Sequence, residues 1–149
     1  MRYEPATQEI VDLYEDVKAQ HFPELRNIQI MLLMDTKKCK SKGKLVLGKI
    51  KKASEVEKYL TTDIVEEEGI DFVMFLDKNM ITHCDKVDLA RLVRHELRHI
   101  FINERGKLTL LPHDFEDFRM EVDLNHDDPN WASRVAEMVS LIYEQREDE

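Results

Sequence analysis

Leu92-Val93-Arg94-His95-Glu96-Leu97-Arg98-His99, preceded by the apolar run Ile70-Asp71-Phe72-Val73-Met74-Phe75-Leu76, is the stretch on which the reading of this chain turns. The run reads as a buried strand. Val87, Leu89, Ala90, Leu92, Val93, Leu97, Ile100 and Phe101 then make an apolar stripe at helical spacing. Asp85 or Asp88 can cap that predicted helix, which runs to about Asn103 before Gly106 breaks it. His-Glu-x-x-His falls inside it. Side chains at i and i+4 lie one above the other on a helix face, so both imidazoles can reach a single ion. Glu96 is turned about 100° from His95, close enough to such an ion to take a proton from a neighbouring water without becoming a ligand. The pattern therefore predicts His95 and His99 as ligands of Zn2+ and Glu96 as catalytic base.

A catalytic zinc site takes three protein ligands and leaves one position open. His113 is the first candidate for the third, because it follows Pro112 at the start of a predicted helix (113–124) after a connection short enough to fold back. Glu116, one turn further on, is the alternative, followed by Glu121 and Asp117. The longer pattern with Gly and His three and six residues past the second histidine is excluded, since Ile102 and Arg105 stand there. Neither Cys39 nor Cys84 has a metal-binding or disulfide spacing around it. Asp114 and Asp117 can each accept the second N–H of His113, or simply make an acidic first turn. His126 lies in a turn where it can contact substrate or solvent. His83 reads as a helix-start residue, and His21 suits a helix end, where a cation is favoured. Arg119 and Tyr143 are the candidates for stabilising an oxyanion.

Outward from the motif, Ile10, Leu13, Tyr14 and Val17 predict an N-terminal helix with Thr7 as cap and Pro23 as its end. Ile28 to Met34 predicts a buried strand, Leu45 to Ile50 a second, and Ser54 opens a short helix through Leu60. Lys107 to Leu111 reads as a short extended piece, and Trp131 to Gln145 as a last amphipathic helix. Strands interleaved with helices, then helices alone, give an α+β class: a small mixed sheet packed on the active-site helix, with further C-terminal helices.

A length of 149 residues fits one domain spanning the whole chain. With 42% hydrophobic and 36% charged residues and four each of Gly and Pro, the composition is that of a globular domain rather than a disordered or fibrous one. The net charge of -9 argues against a nucleic-acid partner. One segment opposes it: Lys37, Lys38, Lys40, Lys42, Lys44, Lys49, Lys51 and Lys52 occur with no acidic residue between them. That segment carries no interleaved aromatics for base stacking. Two lone cysteines, no signal-like start and no run of about 20 apolar residues predict a cytoplasmic protein without a membrane segment.

Asp71-Phe72-Val73-Met74-Phe75-Leu76, Leu92 to His99 and the downstream His113-Asp114-Phe115-Glu116-Asp117-Phe118, with Trp131 after the last turn, resemble the phage metallopeptidase family, small zincin-like proteins of phages and prophages. Looser similarity reaches back to Phe22-Pro23-Glu24-Leu25. The resemblance implies a zincin-like fold, a zinc-dependent peptidase acting on an intracellular protein or peptide, and His113 rather than Glu116 as third ligand. The chain departs from the family pattern ahead of the tryptophan, where Asp128, Pro129 and Asn130 replace a glycine. The rival reading is a non-catalytic, zinc-stabilised binding protein, which needs a fourth ligand from Glu116 or His126 and has no use for Glu96. A DNA-associated protease of the SprT-like kind, docking through the lysines, is the third.

Overall fold

The computed structural model describes residues 1–41, 43–65, 68–111, 121 and 124–147. Two strands of apolar and β-branched residues, β2 (Ile30–Asp35) and β6 (Phe72–Asp77), lie parallel in register, with Ile30 opposite Phe72 and Asp35 opposite Asp77. The short β1 (Tyr3–Pro5) runs antiparallel along β2, and β5 (Gly48–Lys52) antiparallel along β6. The order β1-β2-β6-β5 makes a four-stranded mixed sheet with β5 at one edge. Between β2 and β5, β3 (Lys40–Ser41) and β4 (Lys44–Leu45) form a small hairpin. Gly43 turns it at φ +76°, a left-handed conformation that L side chains rarely adopt.

Alternation along the strands divides the core. Leu32, Phe72, Met74, Leu76 and Ile50 face α1 (Gln8–His21), α4 (Lys86–Leu97) and α5 (Trp131–Glu147) and form the main cluster with Tyr14, Val93, Leu97, Val135 and Val139. The other face is thinner, with Ala53, Ile70 and Val73 packed on Met31, Leu33, Val65 and Phe75. Burial at about 25 cal/mol per Å² of apolar surface makes the first face the principal source of stability. The fold is α+β, as the sequence predicts.

Local chemistry explains most element boundaries. The Thr7 side chain accepts from the Ile10 amide at the start of α1, and Pro23 opens a 3-10 turn at its far end. Ser54 and Glu57 form a reciprocal capping box on α2 (Glu55–Leu60). Asp85, not Asp88, caps α4, its carboxylate accepting from the Asp88 amide at 2.9 Å.

Three expectations are corrected. The segment predicted as one strand over Leu45–Ile50 is divided: Lys44–Leu45 belongs to the small hairpin, and only Gly48 onward joins the sheet. A further helix, α3 (Lys78–His83), follows β6 directly, with the Asp77 carboxylate as its cap, so His83 ends a helix rather than starting one. The active helix is also shorter than predicted. It stops at Leu97, because Ile100, Phe101 and Ile102 form β7 (Ile100–Ile102), paired antiparallel with β8 (Leu108–Leu110). β-Branched and aromatic residues favour that arrangement, and Gly106 turns the chain at φ +77°. His99 thus lies just beyond the helix. The helix predicted over 113–124 falls largely outside the described residues, although Glu121 and Leu124 are helical.

Candidate metal centre and cleft

His95 and Glu96 stand in the last turn of α4, and His99 follows the C-cap residue Arg98. Arg98 keeps helical backbone angles, and the His99 amide donates to the Glu96 carbonyl at 3.2 Å, so the chain tightens without turning away. The two imidazoles remain neighbours, with ring centroids 5.6 Å apart and planes at 77°.

A second bond fixes the His99 ring. Its Nδ1 lies 2.6 Å from the Leu111 carbonyl oxygen. A carbonyl can only accept, so Nδ1 carries the proton and the lone pair of the neutral ring is on Nε2. The Leu111 amide in turn donates to the His99 carbonyl at 2.6 Å, extending the β7–β8 pairing by one rung. Burial lowers the His99 pKa from its ordinary value; the Leu111 bond opposes this and the neighbouring His95 adds to it. A neutral imidazole is the ligating form.

Glu96 is only 5% exposed. Burial pushes its pKa up to about 7, with the charge of His95 opposing the shift. Such a carboxyl exchanges protons near neutrality, as a general base must. Edge strand β5 crosses directly above it. A Cβ built on Gly48 would lie 2.9 Å from Leu92 Cδ1 and 3.3 Å from Glu96 Cγ. Glycine at position 48 is what permits this close approach.

His95, Glu96 and His99 line a cleft of about 1080 Å³. The segment from Lys44 to Ile50 forms one wall, and Trp131, Ala132, Ala136 and Glu137 of α5 contribute to the other. Two imidazoles beside a buried carboxylate, one with its tautomer set for donation through Nε2, are a donor set that fits a nitrogen-preferring divalent ion. Among the described residues no group of three His, Cys, Asp or Glu side chains converges. His113, Glu116, Asp114, Asp117 and Arg119 lie outside the described residues.

The flank of α4 beside the histidines carries Arg91, Arg94 and Arg98, and these form a network not foreseen from the sequence. Glu121, fully buried, accepts from Arg94 Nε at 3.0 Å through one oxygen and from Arg98 at 2.9 Å through the other. Arg94 also donates to Asn125, and the Arg98 guanidinium lies over the Phe22 ring, 4.5 Å from its centroid. Arg91 pairs with Asp88 at 2.9 Å and Asp127 at 2.7 Å, and Arg134 of α5 also donates to Asp88. Both Glu121 oxygens are therefore engaged by arginine, and Glu121 does not line the cleft. The available signal was spacing: positions 91, 94 and 98 share a helix face, and acids crowd the sequence after 113.

Other candidates fall elsewhere. The Tyr143 hydroxyl donates to the Asp77 carboxylate, tying α5 to the end of β6, so it is not available as an oxyanion donor. Burial raises the Asp77 pKa, with the Tyr143 bond opposing the shift. His126 sits exposed in a turn and does not line the cleft; His83 is exposed at the end of α3, and His21 is in the last turn of α1.

No helix among the described residues is long and apolar enough to cross a membrane. No curated protein and no solved structure matches the chain. The family described as "Putative phage metallopeptidase" matches residues 1–143, nearly the whole length, and carries with it the implication of a metal and a protein substrate. The chain belongs to that family.

Proposed function

We propose that this chain is a single-domain, zincin-like, zinc-dependent peptidase acting on an intracellular polypeptide, with His95, His99 and His113 as metal ligands and Glu96 as base. The observation that carries the proposal is the joint placement of the tautomer-fixed His99 and the buried Glu96 in one open cleft. A bound zinc ion supplies Lewis acidity, polarising the scissile carbonyl and acidifying a water. The residues do the rest. Glu96, kept protonable near neutrality by burial, accepts the water's proton and passes it to the leaving amine. Leu111 holds His99 in its donating tautomer. β5, unpaired on its outer side among the described residues, offers backbone groups along which an extended peptide can align.

A closed structural zinc site has no use for a base and no need of a cleft, so Glu96 and the open volume favour the catalytic reading over the binding-protein alternative. Elemental analysis of wild type, His113→Ala and Glu96→Gln, with an unfolded protein as substrate, tests it. The expected result is about one zinc per chain, lost in His113→Ala, kept in Glu96→Gln, with cleavage only by wild type. Full retention in His113→Ala moves the third ligand to Glu116. Absence of zinc in every form, after refolding with zinc, rejects the proposal.

A further inference from the structure

The lysines that interrupt an otherwise acidic chain gather where a substrate would lie. β5 and the hairpin before it form the cleft wall, and Lys44 and Lys49 line the cleft itself. Lys49 and Lys51 project from the same face of β5, opposite Phe75 and Val73 of β6, so neither meets an acid across the ladder. Lys51 reaches Glu57 at 3.1 Å, and the Lys52 ammonium is used on the Leu108 carbonyl. Lys49 is exposed and borders a second, smaller cavity on the far side of the strand, with Lys37 and Lys51; the two acids of that cavity are engaged, Asp35 by Arg2 at 2.9 Å and Asp77 by the Tyr143 hydroxyl. Among the described residues, the acids lining the cleft are Glu96 on its floor and Glu137 on the opposite wall.

Resting on the peptidase reading, we infer that the edge strand selects extended polypeptide segments carrying Asp or Glu at alternate positions. A chain paired along β5 presents every second side chain to the Lys49 face, and opposite charges on neighbouring strands attract. The intervening side chains turn towards the apolar cleft, where Leu47, Leu92, Leu110 and Trp131 lie. Nucleic acid fits less well. A long polyanion runs beyond the patch into the field of a chain with net charge -9. A short acidic segment feels chiefly the lysines within a Debye length, about 10 Å at 0.1 M salt. Trp131, the aromatic residue lining the cleft among the described residues, is only 4% exposed and offers no stacking platform.

The test is fluorescence anisotropy on Glu96→Gln protein with one equivalent of zinc, which binds without turning over. The probes are labelled peptides of about ten residues in which Val alternates with Glu, Gln or Lys, and an oligothymidylate of equal charge. The Glu peptide should bind about tenfold more tightly than the Gln peptide at low salt, and the preference should collapse at high salt. Adding Lys44→Glu and Lys49→Glu should abolish it. Equal affinity for the Glu and Gln peptides overturns the inference, as does oligothymidylate binding at least as tightly as the Glu peptide. Incubating the peptides with wild type separates the two claims: a charge preference without cleavage upholds the inference and counts against the peptidase reading alone.

Discussion

Nδ1 of His99 and the carbonyl oxygen of Leu111 are 2.6 Å apart across the mouth of a hairpin, so a backbone group sets the tautomer of the second histidine of the motif. The contact is independent of the Leu111 side chain, which is exposed. Leu111→Ala should therefore bind zinc within about twofold of wild type. Leu111→Pro, which loses the amide donation to His99 and shifts the carbonyl, should bind it about 10–100-fold more weakly, the usual cost of disturbing a ligand's outer partner. Competition against a chromophoric chelator measures both. Equal affinities would show that the bond does not tune the ligand.

Glu96 makes the metal-free protein sensitive to pH in a defined direction. Its folded pKa of about 7 stands above the ordinary 4.5, so the folded state holds the proton more tightly than the unfolded one. Stability contributed by that proton is present below pH 4.5 and is lost as pH rises towards 7. Glu96→Gln should match wild type at the acid end and exceed it by roughly 3 kcal/mol at neutral pH and above. Urea denaturation of both metal-free proteins across that range measures the difference. A gap that does not change with pH would contradict the burial argument.

Glu121 joins α4 to the chain that follows the hairpin through two arginine bonds with no solvent exposure of its own. Truncating one partner of such a buried pair leaves charges uncompensated. Glu121→Ala should cost about 3–5 kcal/mol, read as a fall in the urea midpoint. A loss below about 1 kcal/mol, the value of an exposed pair, would mean the clamp is not closed in solution.

Gly48→Ala inserts a methyl group between β5 and the Leu92–Glu96 ridge, where 2.9 Å is available. Overpacking of this kind costs about 1–3 kcal/mol. On the proposed reading kcat should fall while zinc content stays at one per chain, because the displaced group is the base and not a ligand. Zinc content together with turnover on an unfolded protein separates those effects.

The sequence revealed the pieces built from local chemistry. Apolar runs marked β2 and β6, Thr7 and Ser54 marked helix starts, and the His-Glu-x-x-His spacing brought His95, Glu96 and His99 to one place. It misled where one pattern serves two structures. Ile100 and Phe101 continue the helical stripe in sequence, yet they pair with Leu110 and Thr109. A partner strand further along the chain decides that, and no local window contains it. Helix α3 was hidden for a related reason: its cap, Asp77, is also the last residue of β6, so strand and helix share a residue with no turn between them. Gly48 carries no sequence signal at all, since its role comes from a helix more than forty residues away.

The early end of α4 has a consequence for how the site is assembled. Were both histidines inside one helix, the pair would be ready-made whenever the helix formed. Here the second is held by the β7–β8 hairpin, closed by three residue pairs and by the bonds between His99 and Leu111. On the proposed reading, loading the ion and closing the hairpin are one linked equilibrium. A chelator then acts as a local denaturant, opening the hairpin around Gly106 while the sheet and its helices stay folded.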